Sequence, residues 1–265
     1  MKSNEVANCW EANAEAWTRL TRAGYDVYRD VLNTPAFLDM LPTVVNMKGL
    51  DLGCGEGTNT RAVARLGAHL TGLDIAPTFI RHAREAEQRD PIGIDYVLGD
   101  GLTIDFPDAS FDFVVAFMSM MDMADQRAAF AEVQRVLKSG GFFQFSILHP
   151  CFVPPTRKNI RNEADEPIAV QVADYFEEPD GQIERWTFSA IPAEQRVTER
   201  PFEIPRFHRT LTTWVSMIVE AGLQIEAFGE PRATKQVAKS QPSVADTRIA
   251  PLFLHIRARK PYARR

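Results

Sequence analysis

Three aspartates at the ends of apolar runs are the first residues whose type and spacing could do chemistry. Asp51 lies in Gly49-Leu50-Asp51-Leu52-Gly53-Cys54-Gly55-Glu56-Gly57, two residues before a glycine triplet at alternate positions. Glycines there remove Cβ atoms where backbone must bend sharply or approach a ligand closely. The run beginning at Thr58 reads as a helix, so the turn delivers backbone N–H groups at a helix N-terminus, where a nucleotide-like ligand can be met. Asp74 closes the next apolar run, His69-Leu-Thr-Gly-Leu-Asp74, and an acid there can accept hydrogen bonds from both hydroxyls of a ribose. Asp100, in Gly99-Asp100-Gly101, can reach an adenine amino group or simply form a turn.

The histidines form a second set. Of five, His69, His82 and His255 read as structural, with His82 on an exposed helix face. His149 directly follows an apolar strand, and His208 lies in Arg206-Phe207-His208-Arg209, where a later segment returns to the core. Imidazole near its ordinary pKa can remove a proton from a hydroxyl or amine, so both are candidate general bases. The alternative is hydrogen bonding that anchors the segment between them. Asp122 and Tyr175 are further candidates. No cluster with metal-ligand spacing appears.

These residues need elements to position them. Residues 3–41 read as helical, with Trp10, Trp17 and Leu20 near helical spacing and Pro35 opening a short helix 36–40. From Lys48 strands and helices alternate: strand 48–53, helix 58–66, strand 69–74, helix 77–88, strand 94–99, strand 112–117, helix 125–138 and strand 142–148. Asp125 is placed to cap the last helix and Gly140 to end it. Such alternation predicts a doubly wound parallel sheet. Residues 149–209 are proline-rich, with β-like runs at 168–176, 183–191 and 202–207, and read as an inserted antiparallel lid or platform. Helix 211–221 and strands 223–229 and 251–259 follow, the two strands pairing as a terminal hairpin, with 231–251 a long polar connection.

Taken together, Leu50-Asp51-Leu52-Gly53-Cys54-Gly55-Glu56-Gly57, Gly72-Leu73-Asp74-Ile75, Gly99-Asp100-Gly101, Ser110-Phe111-Asp112 and Leu137-Lys138-Ser139-Gly140-Gly141 resemble the successive signatures of class I S-adenosylmethionine-dependent methyltransferases. The resemblance spans about residues 48–148, with Ser139 where the family often has proline. It implies a Rossmann-like, seven-stranded mixed sheet of order 3-2-1-4-5-7-6 with an antiparallel seventh strand. It also implies S-adenosylmethionine as cofactor. Asp51 and the Gly53, Cys54, Gly55 and Gly57 backbone would surround the methionine part, with Asn59 beside them. Asp74 would hold the ribose, Ile75 would pack on adenine, and Asp100 with Gly101 would meet the adenine edge. Phe117 and Met118 would line the cleft near the sulfonium.

The whole chain, 1–265, then reads as one domain: a helical cover (1–47), a cofactor-binding core (48–148), a substrate lid (149–209), and a C-terminal helix with a β-hairpin (210–265). The candidate acceptor contacts are Trp17 and Tyr28 of the cover, Met121 of the methionine run Phe117–Met123, and Tyr175 and Trp186 of the lid. A net charge of −5 argues against a nucleic-acid surface, as does Phe117-Met-Ser-Met after the fourth strand, where amino-methylating DNA enzymes carry an Asn-Pro-Pro-Tyr-like tetrapeptide. A small, partly apolar acceptor is expected instead. The insert can alternatively form an interface between two copies, and the two readings are not exclusive. Three cysteines without a paired spacing, no leader-like apolar run and no span-length apolar stretch lead to the expectation of a cytoplasmic protein that does not enter the membrane. The basic ending, 257–265, reads as a solvated tail. The rival readings are an NAD-dependent oxidoreductase, disfavoured by G-x-G-x-G in place of G-x-G-x-x-G and by Asp51, and a non-catalytic protein that only holds the cofactor.

Overall fold

The structure is a computed structural model that describes residues 1–262. It begins with α1 (Ser3–Arg22) and α2 (Thr34–Met40), joined through a π turn at Arg29–Asn33. The alternating core follows: β1 (Lys48–Leu52), α3 (Thr58–Ala64), β2 (His69–Asp74), α4 (Pro77–Arg89), β3 (Asp95–Leu98), β4 (Phe111–Phe117), α5 (Gln126–Val136) and β5 (Leu137–Leu148). The insert holds β6 (Thr156–Arg161), β7 (Pro167–Ala173), β8 (Gln182–Trp186), the single turn α6 (Ala193–Arg196) and β9 (Phe202–Arg206). The chain closes with α7 (Leu211–Glu220), β10 (Gln224–Gly229), α8 (Lys235–Ser240), a 3-10 stretch at Pro242–Arg248 and β11 (Phe253–Arg259).

The main sheet runs β3-β2-β1-β4-β5-β11-β10. It is parallel through β5, and β11 is antiparallel to both β5 and β10. That is the expected 3-2-1-4-5-7-6 order, with β10 and β11 as the sixth and seventh strands. The central strands are apolar on both faces because helices cover both. Leu50, Val114 and Phe145 pack with Phe130 and Trp214 on one side. Phe113, Val115 and Phe142 pack with Phe37 and Val63 on the other. Alternation along one strand thus feeds two cores.

Several local expectations are corrected. Gly140 does not end the fifth helix: Leu137 already has extended backbone, and Gly140 (φ +78°) is a kink inside β5 whose N–H donates to the Lys260 carbonyl. The insert forms two separate antiparallel hairpins, β6–β7 and β8–β9. Strand β6 escaped sequence reading because Thr-Arg-Lys-Asn-Ile-Arg has a polar, half-exposed pattern. The connection between β10 and β11 is not merely polar loop, for Val244, Asp246 and Thr247 are buried. His82 is buried rather than exposed, with Nε2 2.9 Å from Glu15. Arg257 and Arg259 belong to β11 and pair with Glu226, and the part of the expected tail beyond 262 lies outside the described residues.

Candidate functional site

A cavity of about 940 Å³ opens above the carboxyl ends of β1, β2 and β4, within the range of small-molecule sites. The glycine turn forms its floor. Gly53, Gly55 and Gly57 all have positive φ. The Gly53 and Cys54 amides donate to the Leu73 carbonyl at 2.8 and 3.0 Å, tying the turn to the end of β2. A Cβ on Gly53 would lie 2.4 Å from Ser119 Cβ, whereas one on Gly55 would meet nothing within 4 Å. The space over Gly55 is therefore open to a ligand.

Two buried carboxylates flank this floor. Asp74 Oδ2 accepts from the Gly55 amide at 2.8 Å and Oδ1 from the Ala76 amide at 2.9 Å. Burial raises its pKa to about 6, opposed by those amides. Asp51 Oδ2 accepts from Thr60 Oγ1 at 2.6 Å, while Oδ1 is enclosed without a partner. Burial pushes the Asp51 pKa up to about 7, with Thr60 opposing. An orphaned, desolvated carboxylate oxygen is costly unless a donor or cation reaches it. The pair therefore suits a ligand bearing positive charge. Sequence reading missed Glu56, which is 5% exposed, lines the cavity and lies 3.4 Å from Arg22 and 3.7 Å from Arg29. Its position inside the glycine triplet was the available signal.

Of the twelve residues expected around a cofactor, eleven line this cavity: Asp51, Gly53, Cys54, Gly55, Asn59, Asp74, Ile75, Asp100, Gly101, Phe117 and Met118. Gly57 does not. Its missing Cβ makes room for the Tyr96 hydroxyl, 2.6 Å from where the atom would stand. Asp100 does form a turn, accepting from the Leu102 amide at 2.9 Å, and it also accepts from Ser3 Oγ of α1. Asn59 Oδ1 accepts from Thr34 Oγ1 at 2.9 Å. The cover is thus fastened to the glycine-turn side by its own side chains.

The far end of the cavity is aromatic. Trp17 packs at 5.6 Å from Trp186, 5.1 Å from Phe188 and 5.0 Å from Phe202. Beside it lies a polar cluster about Asp246, which accepts from the Tyr28 hydroxyl (3.0 Å), Arg157 (3.0 Å) and Asn159 (3.1 Å). Trp17, Tyr28, Met121 and Trp186 line the cavity, and Asp122, Glu184 and Arg206 line it as well.

His149, His208 and Tyr175 are not brought to it. His149 is 3% exposed, with Nε2 2.9 Å from Glu230 and Nδ1 accepting from the Cys151 amide. His208 Nε2 donates to the Tyr175 carbonyl at 2.9 Å, and the Tyr175 hydroxyl accepts from the Leu211 amide at 3.0 Å. Burial lowers both histidine pKa values. These contacts fit the anchoring alternative, in which the two histidines hold the insert in place. Both histidines were singled out because the chain there leaves and rejoins the sheet, and sequence adjacency could not say which way the rings turn. Among the described residues no group of side chains could hold a metal ion.

Known proteins are similar in the same regions. Residues 50–145 match a family described as a methyltransferase domain. A demethylmenaquinone methyltransferase of Tropheryma whipplei is 32% identical over 137 residues, 52% of this chain and 56% of that protein. A 2-methyl-6-phytyl-1,4-hydroquinone methyltransferase of Synechocystis is 28% identical over 187 residues, 68% of this chain and 55% of that protein. The chain thus spans about half the length of the curated relatives it matches. Among solved structures, an S-adenosylmethionine dependent methyltransferase from Mesorhizobium loti superposes with a TM-score of 0.68 at 26% identity, covering 85% of this chain and 96% of that one.

Proposed function

We propose that this chain, whose core belongs to the class I S-adenosylmethionine-dependent methyltransferases, methylates a small, partly apolar acceptor held between the glycine turn and the Trp17–Trp186 wall. The observation that carries the proposal is one continuous cavity joining an acidic, glycine-floored end to an aromatic end. The donor end fits the cofactor on its own terms: an open cradle over Gly55, an unpartnered Asp51 oxygen, and Asp74 and Asp100 at the strand ends.

Asp51 and the Gly53–Gly55 backbone would hold the methionine part, Asp74 the ribose, and Ile75, Asp100 and Gly101 the adenine. S-adenosylmethionine, when bound, supplies an already activated methyl group. What the chain must add is alignment and exclusion of water. Phe117, Met118 and Met121 add apolar side chains to the cavity lining, and methionine side chains adapt to irregular shapes. Trp17, Trp186 and Phe188 suit a flat ring. The relatives named for demethylmenaquinone and for a phytyl hydroquinone support a ring-bearing acceptor here.

Calorimetry with S-adenosylhomocysteine and with NADH tests the donor site, and transfer of labelled methyl to a panel of ring-bearing metabolites tests the reaction. Binding of S-adenosylhomocysteine with a methylated product is the expected result. Binding of NADH instead would refute the reading, and cofactor binding with no product from any acceptor would favour the non-catalytic one.

A further inference from the structure

We propose that Asp122 is the proton acceptor for an ionisable hydroxyl on the acceptor's ring, which makes phenols and enols the substrate class. The inference rests on the methyltransferase reading above and adds the residue that reading lacks, since neither His149 nor His208 lines the cavity.

Asp122 ends the 3-10 turn Met120–Asp122, immediately after the cavity-lining residues Phe117, Met118 and Ser119. It is 7% exposed and lines the cavity. Its carboxylate has no hydrogen bond or ion pair among the described residues, yet neither oxygen is among the fully enclosed unpartnered atoms. A buried carboxylate left open on a cavity wall is available to a ligand. The neighbouring charges are already committed: Arg206 donates to Glu184 Oε1 at 2.7 Å and to the Val153 carbonyl. The turn is fixed against the insert, because the Phe207 amide donates to the Met121 carbonyl at 2.9 Å. Across the β8–β9 hairpin, Gln182, Glu184 and Trp186 alternate onto one face of β8, so the aromatic wall and the Arg206–Glu184 pair share one platform. Burial pushes the Asp122 pKa well up, with Glu184 adding to the rise and Arg206 opposing it.

The balance is simple. The acceptor oxygen forms a bond to the methyl carbon as the carbon–sulfur bond breaks, and the electron pair stays on sulfur. The hydroxyl proton passes to the Asp122 carboxylate and leaves to solvent after product departs.

The probes are 1-naphthol and 4-nitrophenol, tested with wild type, Asp122→Asn and Asp122→Glu. Calorimetry on the S-adenosylhomocysteine complex is expected to show 1-naphthol binding at least tenfold weaker in Asp122→Asn, with S-adenosylhomocysteine affinity within twofold of wild type. Methyl transfer to 1-naphthol is expected to fall at least a hundredfold, but less for 4-nitrophenol, which is largely ionised at pH 8, and Asp122→Glu is expected to recover part of the rate. No binding of S-adenosylhomocysteine to wild type would overturn the methyltransferase reading itself. Its binding with neither probe bound nor methylated would overturn the substrate class. Equal losses for both probes, or none, would overturn the role of Asp122.

Discussion

Burying a carboxylate without a cation costs free energy, and this protein places Asp51 and Asp74 together at one end of its cavity. Both folded-state pKa values lie above the ordinary 3.8, at about 7 and about 6. A raised carboxyl favours the folded state most below its unfolded pKa, and that contribution is lost as pH rises through the folded value. For Asp51 the window runs from about pH 4 to about pH 7. Asp51→Asn is therefore expected to be more stable than wild type at pH 8, by ~1–3 kcal/mol, and to converge with it near pH 4. Urea denaturation at both pH values measures this, and a less stable variant at pH 8 would contradict the burial argument. Asp74→Ala is expected to weaken S-adenosylhomocysteine binding at least ~10-fold, the scale of one or two hydrogen bonds to a charged group. Unchanged affinity by calorimetry would remove Asp74 from the donor site. His149→Ala is expected to cost ~1–2 kcal/mol through the orphaned Cys151 amide while leaving methyl transfer within threefold of wild type. A hundredfold loss of turnover would restore His149 as a base.

At the scale of elements, the glycine turn and the β6–β7 hairpin show different kinds of constraint. Gly53 combines φ of +75° with a Cβ position 2.4 Å from Ser119 Cβ. Gly53→Ala therefore meets both backbone strain and a collision, and ~2–4 kcal/mol of destabilisation with loss of cofactor binding is expected. Gly24 has φ of +81° but open space around it, so Gly24→Ala isolates the strain and is expected to cost only ~1 kcal/mol. Comparable losses from both would mean that the collision with Ser119 is relieved by movement of the turn. The β6–β7 hairpin is mostly exposed, and its side chains reach the body of the protein through Arg157 and Asn159 on Asp246. Arg157→Met keeps the aliphatic stem and removes the charge. It is expected to speed proteolytic cleavage within residues 156–173 several-fold, and unchanged cleavage would show that other contacts hold the hairpin.

At the scale of the molecule, α1 joins the two halves of the cavity. Glu11 accepts from the Thr78 amide and hydroxyl at 2.9 and 2.7 Å, on the donor side. Asn13 donates to the Glu203 carbonyl at 2.9 Å, on the insert side. Ser3 reaches Asp100. A ligand at the glycine turn is therefore expected to slow hydrogen exchange in residues 3–33 as well as in 53–57. Exchange measured with and without S-adenosylhomocysteine checks this, and protection confined to 53–57 would detach the cover from the donor site.

What the sequence determined was the sheet and the glycine turn at the end of β1. Strand β2 was readable as residues 69–74 and α4 nearly to its last residue, because periodicity and Pro77 are local signals. Eleven of the twelve expected donor-site residues also came out on the cavity, since a turn that follows a strand carries its neighbours to the same strand end. What only the tertiary structure decided was the far, aromatic end of the cavity. Tyr28, Arg157 and Asp246 lie far apart in the chain and meet through packing of three segments. His149 and His208 sit at the right junctions, but ring direction follows from partners such as Glu230 that no spacing predicts. Asp122 stood only as a further candidate, because its burial, its lack of a partner and its place beside Arg206 and Glu184 arise only when the insert folds back over the end of β4.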